Sequence, residues 1–310
     1  MALRRYAGVS AALVVLSFAL GCEKIIGLED FSAAGGPAGS AGMGRGGAAG
    51  SGGGSGGGAG GTTADAGCPE ASDPGAHGPA MARVVRPDGT CFWIDSTEVT
   101  VSQYVEFLAA SPGPQDGVCA WNTSDGGSGD TTETPGFAPS ATCSGVDGGL
   151  EPDAGDGNLP ITCVDWCDAL AFCVWANKDL CRDDGNALPD PTKSDFVQAC
   201  TAGKPQNLYG CSGTSPSVCN GASSGNKDLL PVAASTGCSV TGAESSSSIS
   251  DLSGNAAEWT NFCSPNTPKG NCLTRGGSYN SGDSQLQCVA GVSIPRTATQ
   301  RTQGFRCCAP

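Results

Sequence analysis

The sequence predicts an α+β domain with little regular secondary structure and many disulfide bonds. The chain has 18 cysteines in 310 residues, which is too many for a reducing cytosol, where thiols are used sparingly. Short strand and helix patterns are separated by Gly-, Pro-, Ser- and Asn-rich stretches at 111–160 and 203–250. Connections of that length are uncommon in a compact domain. Disulfides make them acceptable, because cross-links constrain the unfolded chain.

The first residues have the composition of an export signal. Two arginines precede an apolar run over 7–20, which ends at Gly21 and Cys22. The run is too short to span a bilayer, and a basic start with a short apolar centre is typical of signal peptides. We therefore expect residues 1–21 to be a lipoprotein signal peptide, with acylation of Cys22. An ordinary secretory signal is the alternative, because Ala19 stands where a lipobox prefers leucine.

A flexible linker follows the expected anchor. Residues 32–66 are almost entirely Gly, Ala and Ser, and such a segment buries too little apolar surface to offset the entropy of ordering it. We expect residues 22–78 to form the lipid anchor and linker, and residues 79–310 to form one domain. The protein would then be exported and tethered through its lipid to the bacterial cell envelope, with the outer membrane preferred.

The start of the expected domain contains a strand and then a helix. Residues 92–94 are Phe-Trp-Ile, a short run of residues that favour strands. Thr100 and Gln103 have the spacing of a capping box that opens a helix. The apolar residues that follow at helical spacing predict one buried face, made of Val101, Tyr104, Phe107 and Leu108.

Two further helices are predicted in the middle of the chain. One begins at Asp165 and has an apolar face made of Trp166, Leu170, Cys173 and Val174. The other begins at Thr192, where Asp195 would close a second capping box. Its inward-facing residues are Phe196 and Cys200.

Charge and composition exclude several classes of function. The net charge of −14 argues against nucleic acid and anionic lipid surfaces as partners. His77 is the single histidine of the sequence. A serine–histidine–aspartate triad, a two-histidine iron site and a histidine-rich zinc site are therefore not expected.

The cysteines predict disulfides rather than a metal centre. Acylation of Cys22 would leave 17 cysteines, an odd number that requires one thiol or an intermolecular bond. The adjacent Cys307 and Cys308 are expected to bond to different partners. Cys163 and Cys167 could ligate a metal as a pair, but in an oxidising compartment disulfides are the preferred interpretation.

Several blocks in the expected domain resemble, in order, those of the formylglycine-generating, sulfatase-modifying factor family. They include Gly254-Asn255-Ala256-Ala257-Glu258-Trp259, Arg275-Gly276-Gly277-Ser278-Tyr279 and Gly304-Phe305-Arg306-Cys307, with further similarity over 94–107, 160–178, 180–201 and 209–221. The resemblance implies the fold of that family, an irregular α+β variant of the C-type-lectin architecture. It also implies calcium ligands at Asn255 and Glu258, with Asn220 as a candidate for a second site; carboxylate and amide oxygens suit calcium. In the alternative interpretation, Asn255 holds a turn and Glu258 pairs with an arginine.

One part of the family pattern is missing. Members that make formylglycine carry two cysteines two and seven residues after the tyrosine of the Gly-Gly-Ser-Tyr block. Ser281 and Leu286 stand at those places here. Copper(I) prefers thiolate ligands, so copper is not expected.

Two functions follow from this pattern. The first is a non-catalytic binding or structural module of the cell envelope, whose ligand would be an envelope protein or a glycan. The second is an oxidase acting on a protein cysteine, in which Cys288 reacts and Trp259, Ser278 and Tyr279 line the site. The alternative for Cys288 is a structural disulfide to Cys272, Cys307 or Cys308.

Overall fold

The computed structural model describes residues 74–113, 115, 117–122, 136–140, 143, 157–211, 215–242 and 245–310. The expected signal peptide, Cys22 and most of the linker lie outside these residues. Within the described part, no helix is long and apolar enough to cross a membrane.

Short helices and two sheets form the domain, which confirms the α+β prediction. The helices are α1 (Val101–Ala109), α2 (Trp166–Trp175) and α3 (Asp195–Thr201), with 3-10 turns at Gly117–Cys119, Pro216–Val218, Ala222–Ser224 and Asp283–Gln285. The strands are β1 (Met81–Val85), β2 (Cys91–Asp95), β3 (Asp179–Leu180), β4 (Ser239–Gly242), β5 (Ser245–Ser250), β6 (Ala257–Ser264), β7 (Asn271–Arg275), β8 (Gly291–Pro295), β9 (Gln303–Phe305) and β10 (Cys307–Ala309).

The larger sheet has the strand order β3-β10-β2-β1-β5-β4, and the smaller has the order β8-β7-β6-β9. The last strands of the chain insert beside earlier ones. β10 pairs with β2, so that Cys308 lies opposite Ile94. β9 runs parallel to β6, with Phe305 opposite Trp259. The C-terminal segment 303–309 therefore contributes a strand to each sheet.

The cap of α1 confirms the capping box predicted from sequence, and α2 begins after Asp165, as predicted. The Thr100 hydroxyl accepts from the Gln103 backbone N–H, and the Gln103 side chain accepts from the Thr100 backbone N–H. Asp165 and Asp168 form the same reciprocal arrangement at α2. Each box satisfies backbone donors that have no partner within the helix.

The predicted face of α2 is partly wrong. Val174 is 63% exposed, whereas Phe172 and Cys173 are fully buried. Phe172 packs against the rings of Tyr104 and Phe305. The side of the helix that packs on these rings is the buried one, and Val174 lies outside it.

α3 begins later than predicted. Thr192 donates to the carboxylate of Asp190 in a turn, and Ser194 is the residue whose hydroxyl caps the helix by accepting from the Val197 N–H. Asp195 does not close a capping box; its carboxylate pairs with Arg86 at 2.6 Å. Phe196 and Cys200 are buried, as predicted.

Disulfides connect most of the elements. The described bonds join Cys119–Cys167, Cys143–Cys163, Cys173–Cys307, Cys181–Cys308, Cys200–Cys288, Cys219–Cys238 and Cys263–Cys272, and Cys91 is disulfide-bonded as well. Cys307 and Cys308 bond to different partners, as predicted, and Cys163 and Cys167 form disulfides. Cys211 is a buried thiol that donates to the Ser215 carbonyl at 3.6 Å.

Candidate functional site

The loop after β7 contains the residues at which the family pattern places its reactive cysteines. Gly276 and Gly277 have φ angles of +83° and +66°, a region that favours glycine. A Cβ on Gly277 would lie 2.7 Å from the Gln285 carbonyl oxygen. The two glycines therefore allow the chain to turn sharply and return close to itself at 285.

Ser281 is held by the residues just before it. Its hydroxyl oxygen accepts from the Ser278 backbone N–H at 3.0 Å and lies 3.2 Å from the Ser278 hydroxyl. The Ser278 hydroxyl also donates to Asn280 Oδ1 at 2.8 Å. Ser278 itself is buried. These contacts make a closed turn of hydroxyl and amide groups with no thiolate in it.

Leu286 is a core residue. Its side chain is fully buried, and it shares a packed cluster with Tyr209, Cys211 and the Cys219–Cys238 disulfide. A Cβ on Gly221 would lie 2.3 Å from Leu286 Cδ1. The glycine at 221 therefore leaves the room that the leucine fills, and the second cysteine position of the family pattern has become part of the hydrophobic packing.

Cys288 is bonded to Cys200 on α3. The structural-disulfide interpretation is confirmed, but the expected partners Cys272, Cys307 and Cys308 were wrong. Those three residues bond to Cys263, Cys173 and Cys181 respectively. Sequence spacing could not reveal the pairing, because 88 residues separate Cys200 from Cys288 and only the tertiary fold brings α3 beside the loop.

The other residues of the expected oxidase site are dispersed. Trp259 is buried in the aromatic core, where its indole N–H donates to the Val164 carbonyl at 3.3 Å. Cys288 belongs to a second packed cluster and Leu286 to a third. Tyr279 is half-buried, and its backbone N–H donates to the Asn255 carbonyl. Ser278 and Ser281 are the pair that the fold brings into contact.

Asn255 holds a turn, as the alternative interpretation of that residue predicts. Its φ is +60°. Its Oδ1 accepts from Asn220 Nδ2 at 3.0 Å and from the Leu230 N–H at 2.9 Å. Its Nδ2 donates to Glu98 Oε1 at 3.0 Å and to the Leu230 carbonyl at 3.2 Å. The amide is therefore fully used in joining separate segments of the chain.

Glu258 is paired with Arg306. Arg306 Nε donates to Glu258 Oε2 at 2.6 Å, and Arg306 Nη2 donates to Oε1 at 2.8 Å. The remaining donors of the guanidinium reach the carbonyl oxygens of Asp95 and Ser250. Both charged side chains are buried. A bidentate pair of this kind is the strong form of a charged hydrogen bond.

More carboxyl groups surround this pair than the arginine can neutralise. Burial raises the pKa of Glu98 well above its usual range, and the charges of Asp251 and Glu258 add to the rise while Arg306 opposes it. Burial also raises the pKa of Asp251 to about 6. Glu98 Oε2 is buried and has no hydrogen-bond partner among the residues that the structure describes. The sequence patterns had given Glu98 and Arg306 no such role, although both lie inside family motifs.

Among the three residues expected to bind calcium, one has a side-chain oxygen without a hydrogen-bond partner among the described residues. Both oxygens of Glu258 accept from Arg306, and Asn255 Oδ1 accepts two N–H groups, so these oxygens already have partners within the protein. Asn220 Oδ1 is buried without a hydrogen-bond partner and is the one atom of the set that suits a calcium ligand. Within the described ranges, no group of three or more His, Cys, Asp or Glu side chains is arranged to hold a metal ion.

A cleft of about 450 Å³ lies away from these residues. It is lined mainly by apolar side chains on and beside α2, among them Val118, Leu170, Val174 and Trp175. None of the residues singled out from the sequence as catalytic or calcium-binding lines it.

Comparison with known proteins gives a family match. A family model described as a sulfatase-modifying factor enzyme 1-like domain matches residues 59–309. No curated protein matches the chain. Among solved structures, CarF is 22% identical, covering 76% of this chain and 95% of its own, with a TM-score of 0.46. Variable protein 1 of Treponema denticola is 16% identical, covering 76% and 94%, with a TM-score of 0.41. PvdO from Pseudomonas aeruginosa is 15% identical, covering 74% and 92%, with a TM-score of 0.43.

Proposed function

Because the chain belongs to the sulfatase-modifying factor enzyme 1-like family, we propose that it is a non-catalytic member of that family, a binding or structural module of the cell envelope. The observation that carries this proposal is the state of the three residues at or near the expected reactive positions. Ser281 is hydrogen-bonded within its turn, Leu286 fills the core, and Cys288 is in a disulfide.

The chemistry of copper supports the same proposal. A soft metal that cycles between oxidation states is held in proteins by soft ligands such as thiolates. A serine hydroxyl and a leucine side chain cannot replace two thiolates, and His77 lies near the start of the described residues, where its ring stacks on Trp175. The residues present do not fit copper, and no reaction step is assigned to it.

The oxidase alternative would need Cys288 as a thiolate. Cys288 would first have to be released from Cys200, and both cysteines are buried. Trp259 is itself buried, and its indole N–H is committed to the Val164 carbonyl. The packing therefore favours a module that uses the family scaffold for binding.

The anchor remains part of the proposal. Export followed by acylation of Cys22 would place the domain at the envelope, and the disulfides of the described part agree with an oxidising compartment. Calcium is proposed only at Asn220, whose Oδ1 is the available oxygen. The proposed ligand of the module is an envelope protein or a glycan.

A conversion assay tests the catalytic part of the proposal. The purified domain is incubated with a peptide carrying a sulfatase-type cysteine motif, with and without copper(I), and the peptide mass is measured. We expect no conversion of cysteine to formylglycine in either condition. Copper-dependent turnover that disappears in Cys288→Ser would establish the oxidase instead, with Cys200→Ser as the control for loss of the disulfide alone.

A further inference from the structure

The last part of the chain buries three arginines completely, and two of them have a carboxylate partner. The fully buried side chains are Arg275, Arg296 and Arg306. Arg275 forms two hydrogen bonds with Asp183, at 2.9 and 2.8 Å. Arg306 has the same relation to Glu258. Arg296 forms no ion pair with any described residue, although a buried charge is costly unless it is paired.

The contacts of Arg296 leave part of its guanidinium unsatisfied. Nη2 donates to Asn266 Oδ1 at 2.7 Å, while Nε and Nη1 are buried and have no hydrogen-bond partner in the part of the chain that the structure describes. One face of the guanidinium lies over the ring of Trp166, 4.3 Å from its centroid. Asp165 interacts electrostatically with Arg296, but Asp165 Oδ1 is committed to the backbone N–H groups that open α2.

The cover over Arg296 consists of a surface loop. Asn266, the one side chain that hydrogen-bonds the guanidinium, is exposed, and so are its neighbours Thr267 to Lys269. Rotation of the exposed Asn266 carboxamide would therefore free Nη2 of Arg296. The hydrogen-bond partner of Arg296 is therefore a neutral carboxamide, whereas Arg275 and Arg306 each have a carboxylate partner.

The local charge also differs from that of the whole protein. Residues 259–310 contain five basic residues, Lys269, Arg275, Arg296, Arg301 and Arg306, against one acidic residue, Asp283. The whole chain has a net charge of −14. Arg275, Arg301 and Arg306 are each paired with an acidic residue outside this segment, so that Lys269 and Arg296 are its basic residues without an ion-pair partner among the described residues.

We propose that Arg296 is an oxyanion-binding site, with Asn266 occupying the place of the anion until a ligand displaces it. The ligand is a carboxylate or a phosphoryl group, because both present oxygens that match the fork of a guanidinium. The ring of Trp166 packs against one face of the guanidinium and fixes its orientation. The site is separate from the loop at 276–288 and stands whether or not that loop is catalytic.

Titration of the purified full domain with sodium phosphate, and separately with sodium acetate, tests this proposal. The melting midpoint is recorded at constant ionic strength maintained with sodium chloride. A ligand that binds the native state raises the midpoint along a saturating curve, whereas the general stabilisation by excluded salts grows without saturation. We expect saturation with one or both anions, and the difference between them identifies the carboxylate or the phosphoryl group as the preferred ligand.

Variants separate this site from general salt effects. Asn266→Ala removes the competing carboxamide and should tighten the apparent affinity. Arg296→Lys keeps the charge but loses the fork, and should weaken the affinity by about tenfold or more. Arg86→Lys is the matched control, because Arg86 also stacks on an aromatic ring, that of Phe92, but already has Asp195 as its partner.

The outcomes are distinct. Saturation that is stronger in Asn266→Ala, weaker in Arg296→Lys and unchanged in Arg86→Lys supports the site. Identical responses of the wild type, Asn266→Ala and Arg296→Lys to both anions would overturn it and leave Arg296 as a structural cation packed on Trp166.

Discussion

Arg306 and Glu258 form a bidentate ion pair at the point where the two sheets meet. Arg306 precedes β10 of the larger sheet, and Glu258 lies on β6 of the smaller one. The guanidinium also binds the carbonyl oxygens of Asp95 and Ser250 in the larger sheet. A single buried arginine thus satisfies groups from both sheets.

Removing either member of this pair should be strongly destabilising. Glu258→Ala leaves the guanidinium buried without its counter-charge, and Arg306→Met leaves the carboxylate in the same position. Breaking a buried pair from one side typically costs about 3–5 kcal/mol. Urea unfolding of the two single variants and of the double variant measures these costs. The double variant should lose less stability than the sum of the two single losses. With both side chains replaced, neither charge is left buried without its partner.

The same variants decide whether Glu258 contributes to calcium binding. Because both its oxygens accept from Arg306, the stability lost in Glu258→Ala should be the same with calcium and with a chelator. A loss of stability that appears only in the presence of calcium would instead show that Glu258 is a calcium ligand, as the sequence predicts.

Stability should fall as the pH rises from about 4 to above 6. Burial raises the pKa values of Asp95, Asp165 and Asp251 to about 6 from an ordinary value of 3.8. In this range the folded state keeps protons that the unfolded state has released. The stability that these three protonated carboxyl groups contribute is fully present below about pH 4 and is lost as the pH rises through about 6. Melting midpoints measured between pH 4 and pH 8 test the direction, and a midpoint that rises with pH would contradict it.

Glu98→Gln should flatten this pH dependence. The pKa of Glu98 is raised well above its usual range by burial and by the neighbouring carboxyl groups, and a glutamine keeps an acceptor for Asn255 Nδ2 without a titrating proton. Asp88→Asn is the control, because Asp88 is exposed and its pKa is lowered by hydrogen bonds from Thr90. The control should leave the slope between pH 4 and pH 8 unchanged.

Leu286 and Ser281 should differ sharply in their effect on stability. Leu286→Ala empties a fully buried site and should cost about 2–5 kcal/mol. Ser281→Ala removes a hydroxyl from a half-exposed turn and should cost about 0.5–1.5 kcal/mol. Chemical denaturation of both variants provides the comparison. Equal, small losses of stability in the two variants would mean that Leu286 does not contribute to core packing.

Cys22→Ser should release the protein from the membrane fraction. Acylation of Cys22 is the proposed anchor, because a basic start and a short apolar run precede Gly21 and Cys22. Fractionation of cells that express the wild type and the variant, followed by intact mass of the mature wild type, measures the effect. A variant that stays with membranes, together with a wild type that carries no acyl chain, would refute the anchor.

Local sequence determined the parts of this fold that depend on neighbours along the chain. The capping box at Thr100, the start of a helix at Asp165 and a strand at 92–94 depend on hydrogen bonds and side-chain preferences within a few residues, and they form where predicted. The family motifs likewise indicated the α+β architecture, and the serine and leucine at 281 and 286 were visible as departures from it. These features can be predicted because the interacting groups are close in sequence.

Only the tertiary structure decided the partners of buried charges and of cysteines. Arg306 meets Glu258 across 48 residues, and Cys200 meets Cys288 across 88. No local pattern specifies such contacts, because they depend on how sheets and helices pack after long, irregular connections. The same packing turned Val174 outward and left Arg296 without an ion pair among the described residues. Local sequence therefore determined a first strand and the positions of the helices. Tertiary packing determined the other strands, including β4 and β5 within the stretch expected to be loop, and the partners of the buried polar groups.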